Sequence, residues 1–187
     1  MQFIFQPLTA ANWDDFEELF GPRGACGGCW CMNWRLNSAD YNKLKGGGNK
    51  EAMKKIAERS PPGIIAYDDQ LPVGWCAVAP RKEYVRLESS RVLKPVDEKE
   101  VWSVSCFFIK KDYRRKGLST LLLREAVNFA FKKGAIIVEG YPVEQKNDSK
   151  MPDVFVWTGL PVTFIKAGFT EVIRRSENRP IMRRYKK

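Results

Sequence analysis

The sequence predicts an α/β fold in one domain spanning residues 1–187, and two observations carry that prediction. The first is the order of patterns across residues 101–139, where an apolar stretch, a basic glycine turn, an amphipathic stretch and a second apolar stretch follow one another. The second is size and composition: 187 residues, 44% of them hydrophobic, with six Trp and eleven Phe, are enough for one packed core. We therefore expect a strand–turn–helix–strand unit at the centre of a packed domain.

The central unit begins with Val101–Ile109, which is short, apolar and rich in β-branched and aromatic residues, as a buried strand is. After the turn, Leu118–Lys133 predicts an amphipathic helix, and Gly134 is suited to cap its C-terminus. Ala135–Glu139 then predicts the second strand. The residues at helical spacing that predict a buried face are Leu118, Leu121, Leu122, Ala126, Phe129 and Ala130.

The rest of the chain adds strands and helices on both sides of this unit. Residues 2–8 predict a first strand, and Thr9–Phe20 predicts a helix with carboxylates near its N-terminus. Before the central unit, the patterns predict a helix at Lys50–Arg59 capped by Asn49, followed by strands at Gly63–Tyr67 and Val73–Ala79. An amphipathic helix is predicted within Arg81–Leu93, with Arg81 facing outward. After the central unit, the patterns predict a helix at Leu160–Lys166 and strands at Phe169–Arg175 and Pro180–Tyr185.

The basic turn Arg114–Ser119 has the features of an anion-binding site. A helix N-terminus leaves backbone N–H groups unpaired and carries partial positive charge, so a phosphate is stabilised there. Gly117 has no Cβ and lets the backbone approach a pyrophosphate, while Ser119 and Thr120 add hydroxyl donors. The alternative to anion binding is a connecting turn whose basic side chains are only solvated. It stays open because a single glycine identifies a phosphate site less specifically than a full nucleotide-binding motif does.

The segment Ile109–Ser119 resembles the acyl-CoA loop of the GNAT superfamily of N-acetyltransferases, whose motif reads Gln/Arg-x-x-Gly-x-Gly/Ala. Arg114 takes the first place of the motif and Gly117 the second. Ser119 stands where Gly or Ala is usual, so one small residue replaces another. An aliphatic strand end before the loop and an amphipathic helix after it complete the resemblance.

A second signature lies near the C-terminus. Thr163–Phe169 resembles the helix end that the superfamily commonly writes Leu-Tyr-x-x-x-Gly-Phe. Phe164 takes the place of the tyrosine that often serves there as a general acid, so this chain lacks the usual acid at that position.

The resemblance implies a mixed central sheet of about six to seven strands, splayed at the middle and flanked by about four helices. It implies acetyl-CoA as co-substrate, with the pantetheine arm entering between the strand ending at Ile109 and the one ending at Glu139. Val143–Pro152 is predicted as a loop over that site, and Val154–Trp157 as a lid or helix lead-in. The residues implied to contact acetyl-CoA are Phe107, Phe108, Ile109, Arg114, Arg115, Lys116, Gly117, Leu118, Ser119 and Thr120.

Histidine is absent from the chain, which excludes Ser-His-Asp and Cys-His catalysis, histidine-ligated zinc and a histidine base. The resemblance implies direct acetyl transfer to an amine, which needs a main-chain N–H near Phe108 for the thioester carbonyl, a base, and an acid for the sulfur. Glu139 and Tyr141, beside the splayed strand ends, are the candidate base and acid. The alternatives are a Glu139 that simply meets solvent, a cysteine as the acid, and a CoA thiolate that leaves unaided.

The segment Cys26-Gly-Gly-Cys29-Trp-Cys31 leaves three interpretations open. Its thiols can form a redox-active pair, because a dithiol beside positive charge has a lowered pKa. They can hold a soft metal if Cys76 or Cys106 supplies the fourth ligand. They can also be small buried hydrophobic residues in a tight loop, and no metal site is predicted.

The same segment is implied to border the acyl acceptor. In the superfamily the connection between the first two helices lies beside the acceptor pocket, so Trp30, Met32, Trp34 and Arg35 are the candidate acceptor-binding residues. Aromatic residues with one arginine suit an acceptor with an apolar body and an anionic group. The alternative is that both tryptophans belong to the core.

The net charge of +10 is concentrated in residues 110–116 and 174–187, which indicates an anionic partner. CoA and nucleic acid both qualify, but Tyr185 is the only aromatic residue of the C-terminal group, so a stacking platform for nucleic acid is not expected. No apolar run reaches the roughly 18 residues of a membrane helix. The lack of a signal-like start and the odd number of cysteines, five, predict a cytoplasmic location.

The predicted function is therefore acetyl transfer from acetyl-CoA to a primary amine of a small molecule or peptide. A GNAT-fold module that binds acyl-CoA without catalysis is the first alternative, because Phe164 replaces the usual acid. A basic nucleic-acid-binding protein is the second. Dimers are frequent in the superfamily, so the resemblance also leaves a homodimer open.

Overall fold

The computed structural model describes residues 2–145, 152 and 155–187. Most of the predicted loop at 143–152, and the start of the predicted lid at 154–157, lie outside these residues. Within them one seven-stranded mixed sheet runs in the order β1-β2-β3-β4-β5-β7-β6. Its strands are β1 Phe3–Pro7, β2 Gly63–Asp68, β3 Leu71–Pro80, β4 Trp102–Ile109, β5 Ile137–Gly140, β6 Thr170–Arg174 and β7 Pro180–Tyr185.

Six α-helices lie in the described residues, whereas the resemblance implies about four, and the short helix at Ser38–Lys43 is the one that no sequence pattern predicted. They are α1 Trp13–Phe20, α2 Ser38–Lys43, α3 Gly47–Arg59, α4 Val85–Glu88, α5 Leu118–Lys132 and α6 Pro161–Lys166. The prediction that Asn49 caps α3 is wrong, because the helix begins two residues earlier. Asn49 is fully buried, and its side-chain amide donates to the backbone carbonyl of Gly28 at 3.1 Å.

The two faces of the sheet carry different helices and different cores. The apolar stripe of α5 packs on one face of the sheet together with Val104, Phe107 and Phe164, as its 3.6-residue spacing predicts. Two residues of the predicted buried face differ, because Leu121 is exposed and Phe129 is only partly buried. On the opposite face α1 and α3 cover an aromatic core around Trp75. The buried residues of the α5 stripe are Leu118, Leu122, Leu123, Ala126, Val127 and Ala130.

The sheet is splayed between β4 and β5, as predicted. These two strands are the one parallel pair in the sheet, and they pair only where Trp102–Val104 faces Val138–Gly140. β4 continues to Ile109 and stays paired with β3 along its length, so its edge on the β5 side opens into a gap. The Phe164 ring fixes the β5 side of this opening, because a Cβ on Gly140 would lie 2.0 Å from it.

Candidate active site

A cavity of about 520 Å³ opens at the gap between β4 and β5. Its floor is the last part of β4, from Cys106 to Ile109, and one end reaches the turn before α5. The other end is enclosed by the segment between α1 and α2 and by residues 156–163. The splayed strands therefore connect a basic turn to a chamber lined by aromatic residues and thiols.

The basic turn forms the charged end of the cavity, where Arg114, Arg115 and Ser119 line the wall. Gly117 has left-handed backbone, with φ of +81°, and directly precedes the first turn of α5. Glycine adopts that conformation without strain, and Gly117 itself does not line the cavity. Arg115 also has a left-handed backbone conformation, with φ of +60°. The turn is built to present N–H groups and cationic side chains to an anion.

The other residues of the predicted acetyl-CoA loop have different surroundings. Leu118 is buried in the core beneath α5. The Lys116 ammonium lies 5.7 Å from the centre of the Tyr113 ring. Neither residue lines the cavity, and Thr120 lies one step further along α5 outside its wall. Of the ten predicted contacts, those that the cavity brings together are Phe107, Phe108, Ile109, Arg114, Arg115 and Ser119.

The free edge of β4 is partly occupied by the chain itself. The backbone N–H of Phe107 donates to the carbonyl of Trp157 at 2.6 Å. Two residues later, the carbonyl of Ile109 accepts from Nε of Arg114 at 2.9 Å. The segment around Trp157 thus pairs with the edge that an extended ligand would use.

The chamber at the other end depends on glycines in the segment between α1 and α2. A Cβ on Gly24 would lie 2.3 Å from the Trp30 ring, and one on Gly28 would lie 2.7 Å from the backbone of Gly46. Both glycines have positive φ. The sequence needs glycine at these positions because Trp30 and the start of α3 pack directly against the backbone.

The predicted acceptor-binding residues separate into two groups. Trp34 lines the cavity, and its ring packs against that of Trp157, with the ring centres 5.7 Å apart. Trp30, Met32 and Arg35 are buried and do not line it. Arg35 forms an ion pair with Glu83 at 2.6 Å, so its charge is already compensated within the protein.

Glu139 and Tyr141 belong to a buried polar network rather than to the wall of the cavity. Glu139 is fully buried and accepts from Nε of Arg183 at 2.7 Å and from Arg81 at 3.2 Å. The Tyr141 hydroxyl donates to Glu139 and contacts Ser103, both at 2.7 Å. Burial raises the pKa of Tyr141 well above its usual value, and the Glu139 carboxylate adds to this effect.

The prediction that Arg81 faces outward is wrong, because its guanidinium completes this network. Only 7% of Arg81 is exposed, and it also donates to the carbonyls of Leu87 and Leu93. Amphipathic spacing could not indicate this position, because the partners come from α4, from the loop after it and from β5. The side chains of Arg81 and Arg183 thus both contact the Glu139 carboxylate.

All five cysteines are free thiols, and four of them, Cys26, Cys29, Cys31 and Cys106, line the cavity. The indole N–H of Trp75 donates to the sulfur of Cys31 at 3.3 Å. A hydrogen bond from Cys106 lowers the pKa of Cys31 against the opposing effect of burial. In the described part of the chain, no three Cys, Asp or Glu residues are grouped as metal ligands would be.

Comparison with known proteins agrees with this geometry. Residues 30–149 match the model of the acetyltransferase (GNAT) family. No curated protein matches the chain.

Solved structures share the fold at low identity. The PaiA N-acetyltransferase of Thermoplasma acidophilum, in complex with coenzyme A, is 16% identical over 100% of both chains with a TM-score of 0.55. A GNAT-family acetyltransferase of Streptococcus pneumoniae is 14% identical over 98% of this chain and 99% of its own, with a TM-score of 0.54. The aminoglycoside acetyltransferase AAC(6')-Ib, in complex with coenzyme A, is 16% identical over 98% of this chain and 95% of its own, with a TM-score of 0.51. Because the family model covers more than half of the sequence, this chain belongs to the GNAT family of acetyltransferases.

Proposed function

We propose that the protein transfers an acetyl group from acetyl-CoA to a primary amine. The observation that carries this proposal is the single cavity that joins the N-terminus of α5 to the aromatic chamber along the splayed edge of β4. A long anionic donor with a reactive thioester at one end fits such a shape, because its phosphates and its thioester need different surroundings.

The phosphate groups of acetyl-CoA would lie at the basic turn. The positive end of the α5 helix dipole and the cationic side chains of Arg114 and Arg115 suit a pyrophosphate. Ser119 adds a hydroxyl on the same wall. The related structures of PaiA and AAC(6')-Ib are complexes with coenzyme A, which supports this choice of ligand.

The pantetheine arm would extend along the free edge of β4 toward the chamber. Its amide groups would pair with the backbone of Phe107–Ile109 as an added strand does. Since the N–H of Phe107 already donates to Trp157, full pairing there requires the Trp157 carbonyl to move away. The thioester would then lie near Phe108 and face the thiols and aromatic rings.

The acceptor amine would enter the chamber beside the packed pair of Trp34 and Trp157. Aromatic walls favour an acceptor with an apolar body. The roles of Glu139 and Tyr141 as base and acid stay predictions, and their burial among arginines favours a structural role instead. A cytoplasmic location and a homodimer are likewise predictions. In the described residues, no helix has the length and apolar character needed to cross a membrane.

A module that binds acyl-CoA without catalysis is the second candidate, and Phe164 favours it. The ring is fully buried between Gly140 and Gly159 and carries no proton to donate to a departing thiolate. Nucleic-acid binding has less support, because arginines of the C-terminal hairpin are engaged within the protein. Arg174 pairs with Glu144 and Glu171, and Arg183 pairs with Asp97.

An acceptor screen separates these candidates. The protein is mixed with acetyl-CoA and a panel of small amines, amino acids and short peptides, and both free CoA and acetylated product are measured. We expect equal amounts of CoA and acetylated amine for at least one member of the panel. Binding of acetyl-CoA without turnover on any amine would favour the non-catalytic module and contradict the proposal.

A further inference from the structure

The wall of the chamber carries no acidic side chain in the part of the chain that the structure describes. Three stretches form most of that wall, residues 21–37, 105–109 and 155–163, and none of them contains Asp or Glu in sequence. The charged side chains among the described lining residues are Arg114 and Arg115, both in the basic turn at the opposite end of the cavity. The chamber therefore offers a positively charged substrate no compensating charge.

Carboxylates on the elements around the chamber are paired with cations outside it. Glu18 on α1 pairs with a lysine at 3.2 Å, and Glu83 after β3 pairs with an arginine at 2.6 Å. Glu139 on β5 lies between two arginines. None of the three lines the cavity, so none is placed to take a proton from a substrate there.

The other titratable groups of the described wall are thiols and one phenol, which ordinarily hold their protons at pH 7. Burial raises the pKa of Cys29 and of Tyr41 above their ordinary values. Cys31, whose pKa hydrogen bonding lowers, is only 5% exposed, and its sulfur accepts the indole N–H of Trp75 at 3.3 Å. The described wall thus supplies no carboxylate or exposed thiolate as a base at neutral pH.

Aromatic rings form much of the same wall. Phe20 packs on Phe108 with ring centres 5.3 Å apart, and Trp34 packs on Trp157 with ring centres 5.7 Å apart. All four line the cavity, together with Tyr41. A flat ring packs on such surfaces in the offset or edge-on geometries that aromatic pairs prefer. The chamber is therefore suited to a neutral substrate with an aromatic body.

The charge of the amine decides whether the reaction needs a base, because an ammonium ion has no lone pair with which to attack a thioester. An amine of the lysine type has a pKa of about 10.4, so about one molecule in 2,500 is uncharged at pH 7. Aromatic rings attract an ammonium ion but do not remove its proton. An amine attached directly to an aromatic ring is already uncharged at pH 7, because its lone pair is delocalised into the ring.

We propose that the acceptor is an aromatic amine, with its nitrogen attached directly to the ring, that enters the chamber uncharged. This inference rests on the proposed function and names its substrate class. The nitrogen attacks the acetyl carbon of acetyl-CoA, the carbon–sulfur bond breaks, and CoA leaves as a thiolate. The nitrogen gives one proton to water and the sulfur takes one from water, so the transfer balances without a protein base or acid. This route suits a chain in which Phe164 replaces the usual tyrosine.

Two amines of similar shape test the proposal on the full chain. 4-Methoxyaniline carries its nitrogen on the ring and is uncharged at pH 7, whereas 4-methoxybenzylamine has one more methylene group and is an ammonium ion. Each is mixed with acetyl-CoA and the protein at pH 6, 7 and 8, and the acetylated product is measured against a control without protein. Because pH acts on the protein and on acetyl-CoA equally in both assays, the ratio of the two kcat/KM values reports the charge of the nitrogen.

We expect kcat/KM at pH 7 to be at least about tenfold higher for the aniline, because the uncharged fraction of the benzylamine is small. The ratio should fall about tenfold for each pH unit as that fraction rises. A higher kcat/KM for the benzylamine at pH 7, or a ratio that does not change with pH, would overturn the aromatic amine. In that case a base reaches the substrate from outside the described wall, and the proposed function stands.

Two further outcomes separate this inference from the proposed function. Acetylation of amino acids or peptides but of neither methoxy compound would overturn the aromatic amine and leave acetyl transfer in place. Binding of acetyl-CoA without acetylated product from any amine would overturn both.

Trp34→Leu tests the aromatic wall separately. The variant should raise KM for 4-methoxyaniline about tenfold, whereas KM for acetyl-CoA should not rise, because the donor would lie along β4. Trp102→Leu is the matched control, since Trp102 packs against Phe129 and does not line the cavity, and it should leave both KM values unchanged. Calorimetric binding of acetyl-CoA shows that each variant is folded. An unchanged KM for the aniline in folded Trp34→Leu would overturn recognition of the substrate by this wall.

Discussion

The backbone N–H of Phe107 donates to the carbonyl of Trp157 at 2.6 Å, across the gap where β4 has no partner strand. The segment that carries Trp157 is therefore an internal partner of the β4 edge. It also packs the Trp157 ring against that of Trp34, with the ring centres 5.7 Å apart, and both rings line the chamber. Trp157 therefore links the pairing of the β4 edge to the shape of the chamber, because its backbone serves the first and its ring the second.

We expect acetyl-CoA binding to displace Trp157, because the pantetheine arm competes for the same N–H group. The intrinsic fluorescence of the parent should change on titration with acetyl-CoA, and Trp157→Phe should lose most of that change. Trp102→Phe is the matched control, because Trp102 packs against Phe129 on the other face of the sheet. Equal signals from the two variants would show that Trp157 stays in place.

The Glu139 network predicts a large effect on stability. Glu139→Gln leaves Arg81 and Arg183 buried with less compensation, and breaking a buried ion pair costs about 3–5 kcal/mol. Denaturant unfolding should show this loss in the midpoint. Glu171→Gln, which breaks an exposed pair with Arg174, should leave the midpoint almost unchanged. A Glu139→Gln variant with normal stability but an altered pH–rate profile would instead support the base.

Asp97 predicts a specific pH dependence of stability. The hydrogen bonds from Arg183 hold the pKa of Asp97 below its ordinary value of 3.8. The group therefore stabilises the folded state above pH 3.8 and loses that contribution as the pH falls through its lowered pKa. Thermal unfolding should show Asp97→Asn less stable than the parent at pH 6, with the difference shrinking below pH about 4. A constant difference would contradict the assignment.

Local patterns were sufficient for most of the elements, although not for α2, and insufficient for the side chains that meet across them. The spacing from Leu118 to Ala130 predicts α5 because one helix buries its stripe on one sheet. The burial of Arg81 escaped prediction because its carboxylate partner Glu139 lies on β5, 58 residues away in sequence. The opening beside Ile109 followed from family resemblance and not from periodicity.

The candidate site shows the same division. The basic turn could be predicted because its residues are consecutive and lie at the start of a helix. The contact of Cys31 with Trp75 could not, since it joins a glycine-rich segment to a strand residue 44 positions away in sequence. Trp30 and Arg35 look like exposed recognition residues in sequence, but Phe20 and Glu83 bury them in the structure.

Calorimetric titration with acetyl-CoA tests the central claim most directly, because it asks whether this cavity holds the donor. The parent should bind, and Ser119→Glu should weaken binding by tenfold or more, about 1.4 kcal/mol, because a carboxylate then faces the phosphates. Asn128→Glu adds the same charge on an exposed position of α5 far from the turn and should bind like the parent. Absence of binding in the parent, or equal binding by the two variants, would contradict the account.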